Sequence, residues 1–224
     1  LMGTVSPGAL TIHVGEHPLP GAASEAAGRA LIEFIGTPRV EDRYIVMLSG
    51  GASALCAVPA SGLTLADKQR ATELTMRSGA PIEELNALRR MLSAIKGGGL
   101  ARRLAPARFV TVAISDVRGD DPTVIGSAPT IECTRDPDAV IQNLQARGVW
   151  TLLPSSVRGV LQRHVSLQHD AAQPDNYAVI ASLDDSLRAV QREARRRGMT
   201  VHELGRTLYD STSVHAAEWA ERLC

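Results

Sequence analysis

Three short apolar runs, rich in β-branched residues, set what this chain can become: Tyr44–Leu48 (YIVML), Phe109–Ile114 (FVTVAI) and Tyr177–Ala181 (YAVIA). Each reads as a buried strand, because β-branched side chains fit the pleated surface of a sheet. Between them lie segments with helical spacing. Strands that alternate with helices build an α/β fold with a largely parallel sheet. Each run also ends in chemistry: Ser49-Gly50-Gly51 after the first, Ser115-Asp116 after the second and Ser182-Leu183-Asp184-Asp185 after the third. In such sheets ligands gather at the carboxyl ends of the strands.

The intervening sequence supports further elements. Leu10–Val14 alternates like a short strand, and Gly15–Gly21 follows as a proline-stiffened loop. Ser24 is placed to N-cap a helix running to about Ile35, which Gly36 and Pro38 end. Ser53–Val58 forms a short helix before Pro59. Thr64 with Asp67 resembles a capping box opening a helix to Arg77, and Gly79 stops it. Pro81 suits the first turn of the next helix, which the apolar spacing of Leu85, Leu88, Leu92 and Ile95 carries from Ile82 to about Ile95. Helices are expected over 136–147, 155–164 and 211–223, with another after Ser182 ending in the basic turn before Gly198. Met199–Leu204 reads as one more strand. The polar stretch Gln168–Asn176 is the clearest internal seam.

Charge removes whole classes of function. The 224 residues carry 24 Lys and Arg against 24 Asp and Glu, so no basic excess exists to drive nucleic-acid binding. The three cysteines, Cys56, Cys133 and Cys224, are scattered without metal-ligand spacing and fit reduced thiols of a cytoplasmic protein. No apolar stretch approaches the length of a membrane span, and the first residues lack the form of a signal peptide.

The chemistry concentrates in three segments. Ser49, Gly50, Gly51 and Ser53 lie where a strand hands over to a helix start, a place where backbone N–H groups hold anions; the segment matches neither the P-loop nor the dinucleotide pattern. Ser115-Asp116 opens a loop with three carboxylates, Asp116, Asp120 and Asp121, bent around Gly119, able to hold magnesium through one or two oxygens plus waters. Taken singly, Asp120 and Asp121 read as turn caps and Asp116 as functional. In the third segment Asn86, Arg89, Ser93 and Lys96 are spaced 3, 4 and 3, one helical face running into Gly97-Gly98-Gly99. Arg there suits a carboxylate and Lys suits phosphate. Ser93-x-x-Lys96 also has the spacing of a nucleophile pair but lacks its partner motifs. His17 sits in a constrained loop with substrate contact as one role. Several anion sites beside one cation site favour phosphoryl chemistry.

Together four blocks, GEHPLPGAAS (15–24), LSGGASAL (48–55), ELNALRRMLSAIKGGGLA (84–101) and SDVRGDDPTVIGSAPT (115–130), resemble the glycerate 2-kinases of the two-domain, MOFRL-containing type, whose members are also provisionally named hydroxypyruvate reductases. The resemblance runs from Gly15 to about Leu204. It implies a Rossmann-like layered sheet with helices on both faces, and ATP- and magnesium-dependent phosphorylation of the 2-hydroxyl of D-glycerate. Residues 1–224 would be a single α/β domain like the larger, N-terminal domain of these enzymes, with the second domain outside this chain. Matching positions are Ser49, Gly50, Gly51 and Ser53 for phosphate, Asn86, Arg89 and Ser115 for substrate, Lys96 and Asp116 for catalysis, and Asp116 with Asp120 for metal. The chain departs from the family at Ala128, where glycine is usual, and over 132–136. A small molecule is then the expected partner, and self-association stays open. Two other classes compete. A nicotinamide-dependent reductase would want a GxGxxG turn, which is not found; a non-catalytic binding module would keep the cleft without the turnover.

Overall fold

The three apolar runs form three parallel strands, β1 (Arg43–Leu48), β2 (Arg108–Ile114) and β3 (Asn176–Ala181), ordered β1-β2-β3. This is the expected α/β class. The computed structural model describes residues 10–163 and 173–203. The chain parts into two compact units between Leu183 and Asp184, C-terminal to the polar stretch read as a seam.

Register places Tyr44 beside Phe109, Val46 beside Thr111 and Leu48 beside Ala113; Thr111 and Ala113 in turn meet Tyr177 and Val179. Side chains alternate across a strand, so these residues share one face. That face is covered: Phe109 packs with Ile35 of α1 (Ala22–Ile35) and Leu104 of α5 (Gly99–Leu104), while Leu48 and Ala113 pack with Ile125. On the other face Ile45, Met47, Ile114 and Ile180 remain exposed. A second core joins α3 (Leu65–Arg77), α4 (Ile82–Met91), α6 (Pro137–Ala146) and α7 (Ser155–Arg163) through residues such as Ala71, Leu88, Met91, Leu144 and Leu161.

Several boundaries differ from expectation for physical reasons. Leu10–Val14 is not a strand; its apolar side chains are exposed, so alternation there reflects no buried face. Helix α1 begins at Ala22, and Ser24 lies inside it. The cap comes from Glu16, eight residues upstream: its carboxylate accepts from the backbone N–H of Gly21, Ala23 and Ser24 and from the Ser24 hydroxyl. Those bonds, the Ser24 side chain first, pull the Glu16 carboxyl down to a pKa of about 2. The Thr64–Asp67 capping box forms as read. Helix α2 (Ala52–Leu55) is one turn and stops before Val58. The largest departure is α4, which ends at Met91. Leu92 and Ile95 are buried from a non-helical segment, so their spacing reports burial and not helix.

In the second unit α8 (Leu183–Arg196) has Asp184 and Asp185 in its first turn and Arg195 and Arg196 in its last, the arrangement a helix dipole favours. No residue of it is buried. Residues 199–203 form no strand. Leu204, the helix expected over 211–223 and His164 lie outside the described residues. Among those described, no helix is long and apolar enough to cross a membrane.

Candidate functional site

A cleft of about 460 Å³ opens where β1 and β2 end. Its lining draws on every segment the sequence singled out. Ser49, Gly50, Gly51 and Ser53 come from the turn after β1, Asn86 and Arg89 from α4, Lys96 from the loop before α5 and Asp116 from the turn after β2. His17 joins them from the capped loop. Asp120 and Ser115 are not in the lining. Ser115 is buried, and its hydroxyl closes a local turn by accepting from Val117 N (3.2 Å) and donating to Val117 O (3.3 Å). Asp121 caps its own turn through Thr123, whose N–H and hydroxyl both donate to Oδ1 at 2.8 Å.

Lys96 reaches the cleft by a route other than a helical face. The main chain around it is fastened. Gly97 N donates to Ser127 O (3.0 Å), Gly98 N to Ala128 O (2.8 Å), and Arg135 Nη2 to the carbonyls of Lys96 and Gly97 (3.3 Å each). Gly98 has φ +78°, and a Cβ there would sit 2.9 Å from the Glu132 Cα, so glycine is required. Residues 127 and 128 also lie in the left-handed region, Ser127 at φ 64° and Ala128 at φ 55°. From this seat the Lys96 ammonium donates to Ser53 Oγ (2.5 Å), and Ser53 shares a hydrogen bond with Ser127 Oγ (2.9 Å). Ser93, the other serine at suggestive spacing, is buried and donates to Val58 O instead.

The site is cationic and buried at its base. Lys96 is only 3 % exposed, and burial, reinforced by the charges of Lys68 and Arg89, pushes its pKa well below the ordinary lysine value. Arg89, on the last turns of α4, is half-buried and contacts Asn86 Oδ1 at 3.5 Å; burial lowers its pKa too. Lys68, on α3, completes the group. It too is 3 % exposed, and its Nζ has no hydrogen-bond partner among the described residues. No sequence motif includes Lys68. The signal was present nonetheless: Lys68, Ala71, Thr72 and Thr75 are the buried positions of α3, spaced as one helical stripe. Asp116 supplies the carboxylate. Gly50 lets it approach, since a Cβ at that position would fall 2.8 Å from Asp116 Oδ2.

Among the described residues no group of three or more His, Cys, Asp or Glu could enclose a metal. The donor set nevertheless fits magnesium, which commonly takes one or two carboxylates and completes its shell with phosphate oxygens and water. Asp116 is the carboxylate in position for that.

Fold and cleft define a class: a parallel α/β protein with a cation-lined pocket at the carboxyl edge of its sheet. Residues 3–162 match the family described as "Domain of unknown function (DUF4147)", and the chain belongs to that family. Similarity to glycerate kinases runs along most of this chain. A glycerate 2-kinase of Pyrococcus horikoshii is 32% identical over 198 residues, covering 86% of this chain and 44% of the relative. An Agrobacterium vitis protein with the provisional name hydroxypyruvate reductase is 36% identical over 204 residues, covering 91% of this chain and 52% of the relative. The crystal structure of a glycerate kinase from Thermotoga maritima matches with a TM-score of 0.71 at 28% identity, over 82% of this chain and 43% of that one. The chain spans about half the length of these relatives.

Proposed function

We propose that this chain is the substrate- and phosphate-binding part of a glycerate 2-kinase, which moves the γ-phosphoryl group of ATP to the 2-hydroxyl of D-glycerate. The observation that carries this is the lining of one cleft by three cations, Lys68, Arg89 and Lys96, beside a glycine turn and one carboxylate. Phosphoryl transfer needs positioning and charge neutralisation more than covalent help from the protein.

In the mechanism the Gly50–Ser53 turn and Lys96 receive phosphate oxygens. An arriving anion favours the protonated form of Lys96 and so reverses the effect of burial on it. The Ser53–Ser127 bond holds the hydroxyl beside that ammonium. Arg89 takes a substrate carboxylate, for which its planar fork is suited. Asp116 orients the glycerate 2-hydroxyl and accepts its proton as the oxygen bonds to phosphorus and the bond to ADP breaks. Magnesium, when bound, would be held by Asp116 and screen the phosphate charge. Asp120, outside the cleft lining, has no part in this scheme.

The test is ADP release with D-glycerate and ATP by the full-length gene product. Lys96→Ala should lower kcat by about 10²–10³, the usual loss when one preorganised donor is removed from a transferring group, with an unchanged circular dichroism spectrum. Wild-type turnover in that variant removes the assigned role. Oxidation of NADH with hydroxypyruvate would favour the reductase named among the relatives. Calorimetric binding of ATP and D-glycerate by this chain without turnover would favour a binding module.

A further inference from the structure

We propose that Lys68 is the seat of the substrate's carboxylate, acting with Arg89, and that it selects an acid over the corresponding neutral polyol. The inference rests on the kinase reading and deepens it. The observations are independent of any motif. Lys68 is 3 % exposed, its Nζ has no partner among the described residues, and it lines the cleft that Arg89 and Lys96 also line. A buried charge without a counter-ion is costly, and removing solvent from an ammonium costs several kcal/mol in real proteins. The charges around it do little to offset this. Arg89 on α4 and Lys96 before α5 repel it, and only the Cys56 thiol and Glu25 of α1 favour its protonated form. Glu25 is itself engaged by Arg29 at 2.5 Å. Burial also pushes the Cys56 thiol up, which keeps it neutral. The folded protein therefore holds an ammonium that lacks an anion, and the cleft is where one can enter.

Carboxylate and phosphate would both satisfy such a group. Phosphate already has its place at the Gly50–Ser53 turn, where Lys96 donates to Ser53. Lys68 and Arg89 line the same cleft from α3 and α4, elements separate from that turn. Arg provides the fork and Lys the point charge for one small carboxylate.

The experiment uses the full chain, wild type and Lys68→Met, with four probes: D-glycerate, glycerol, inorganic phosphate and ATP with magnesium. Calorimetry should show D-glycerate binding weakened tenfold or more by the substitution, ATP binding unchanged, and no glycerol binding by either form. In thermal melts without ligand Lys68→Met should unfold at the higher temperature, because it loses an unpaired buried charge. At equal concentration D-glycerate should raise the wild-type midpoint more than the variant's. Should Lys68→Met fail to fold, the wild type still decides: D-glycerate must slow reductive methylation of Lys68, followed by mass spectrometry, while ATP must not. Loss of ATP or phosphate affinity in place of glycerate affinity overturns the proposal, as does a lower melting point with unchanged glycerate affinity. Wild type that binds D-glycerate through Lys68 yet releases no ADP would refute the kinase reading and leave the carboxylate seat standing.

Discussion

The buried ammonium of Lys68 makes the stability of the empty protein depend on pH in a direction opposite to that of most surface lysines. In the unfolded chain this group titrates at its ordinary 10.5; in the folded one, burial and the Arg89 charge bring it down to about 8. Between those values the unfolded state holds more protons, so stability rises with pH through the window. Below pH 8 the folded state carries the full cost. A fall of about 2.5 in pKa at about 1.4 kcal/mol each makes that cost roughly 3 kcal/mol. Urea unfolding at pH 7, 8, 9 and 10 of wild type and Lys68→Met would measure it. The variant should be the more stable by roughly 3 kcal/mol at pH 7, and the difference should shrink steadily toward pH 10. Cys56, whose raised thiol pKa pulls stability the other way at high pH, is common to both proteins and largely cancels. Parallel curves, or a variant less stable at pH 7, would refute the reasoning by showing that the ammonium is solvated or paired in solution.

Three further outcomes are expected. Gly50→Ala puts a methyl 2.8 Å from Asp116 Oδ2, the movable end of a side chain, so kcat should drop about tenfold or more while the melting temperature changes little; calorimetric scanning beside an ADP-release assay separates the two effects. Gly98→Ala combines a left-handed backbone with a clash against Glu132 and should cost roughly 3 kcal/mol in urea unfolding, with unaltered stability arguing against the tight seat drawn for the Lys96 loop. Thr64→Ala deletes a capping box outside the cleft lining; a loss of about 1 kcal/mol without change in glycerate affinity is expected, and a change in affinity would tie α3's start to the site.

The strands were readable because β-branched runs declare themselves locally, and so was the capping box at Thr64, whose partners lie three residues apart. Contacts over longer separations were not. Helix α1 is capped by Glu16, which lies outside the helix and eight positions before Ser24, and Ser24, the better local candidate, donates to that same carboxylate. The α4 pattern overran its helix because the core takes Leu92 and Ile95 from a loop as readily as from a helix. That error had little consequence for the candidate site: Asn86, Arg89 and Lys96 do meet in one cleft, but through a turn of chain pinned by Ser127, Ala128 and Arg135. Lys68 stayed hidden because a lysine on a polar helix ordinarily faces water, and only the neighbouring buried positions Ala71, Thr72 and Thr75 betray its side. Ser115 and Asp120 entered through the family resemblance; the Ser115 hydroxyl turns back onto Val117, and Asp120, at φ 54°, lies outside the cleft lining.

Because Lys96 is moored by amide and carbonyl contacts to 127–128 and not by the register of α4, the two halves of the pocket are separable. On the proposed function, exchanges along α4 would alter which acid is admitted while the Lys96 amine keeps its address. A scaffold wired this way lends itself to divergence: substrate preference drifts on one helix, and the reactive centre is inherited intact.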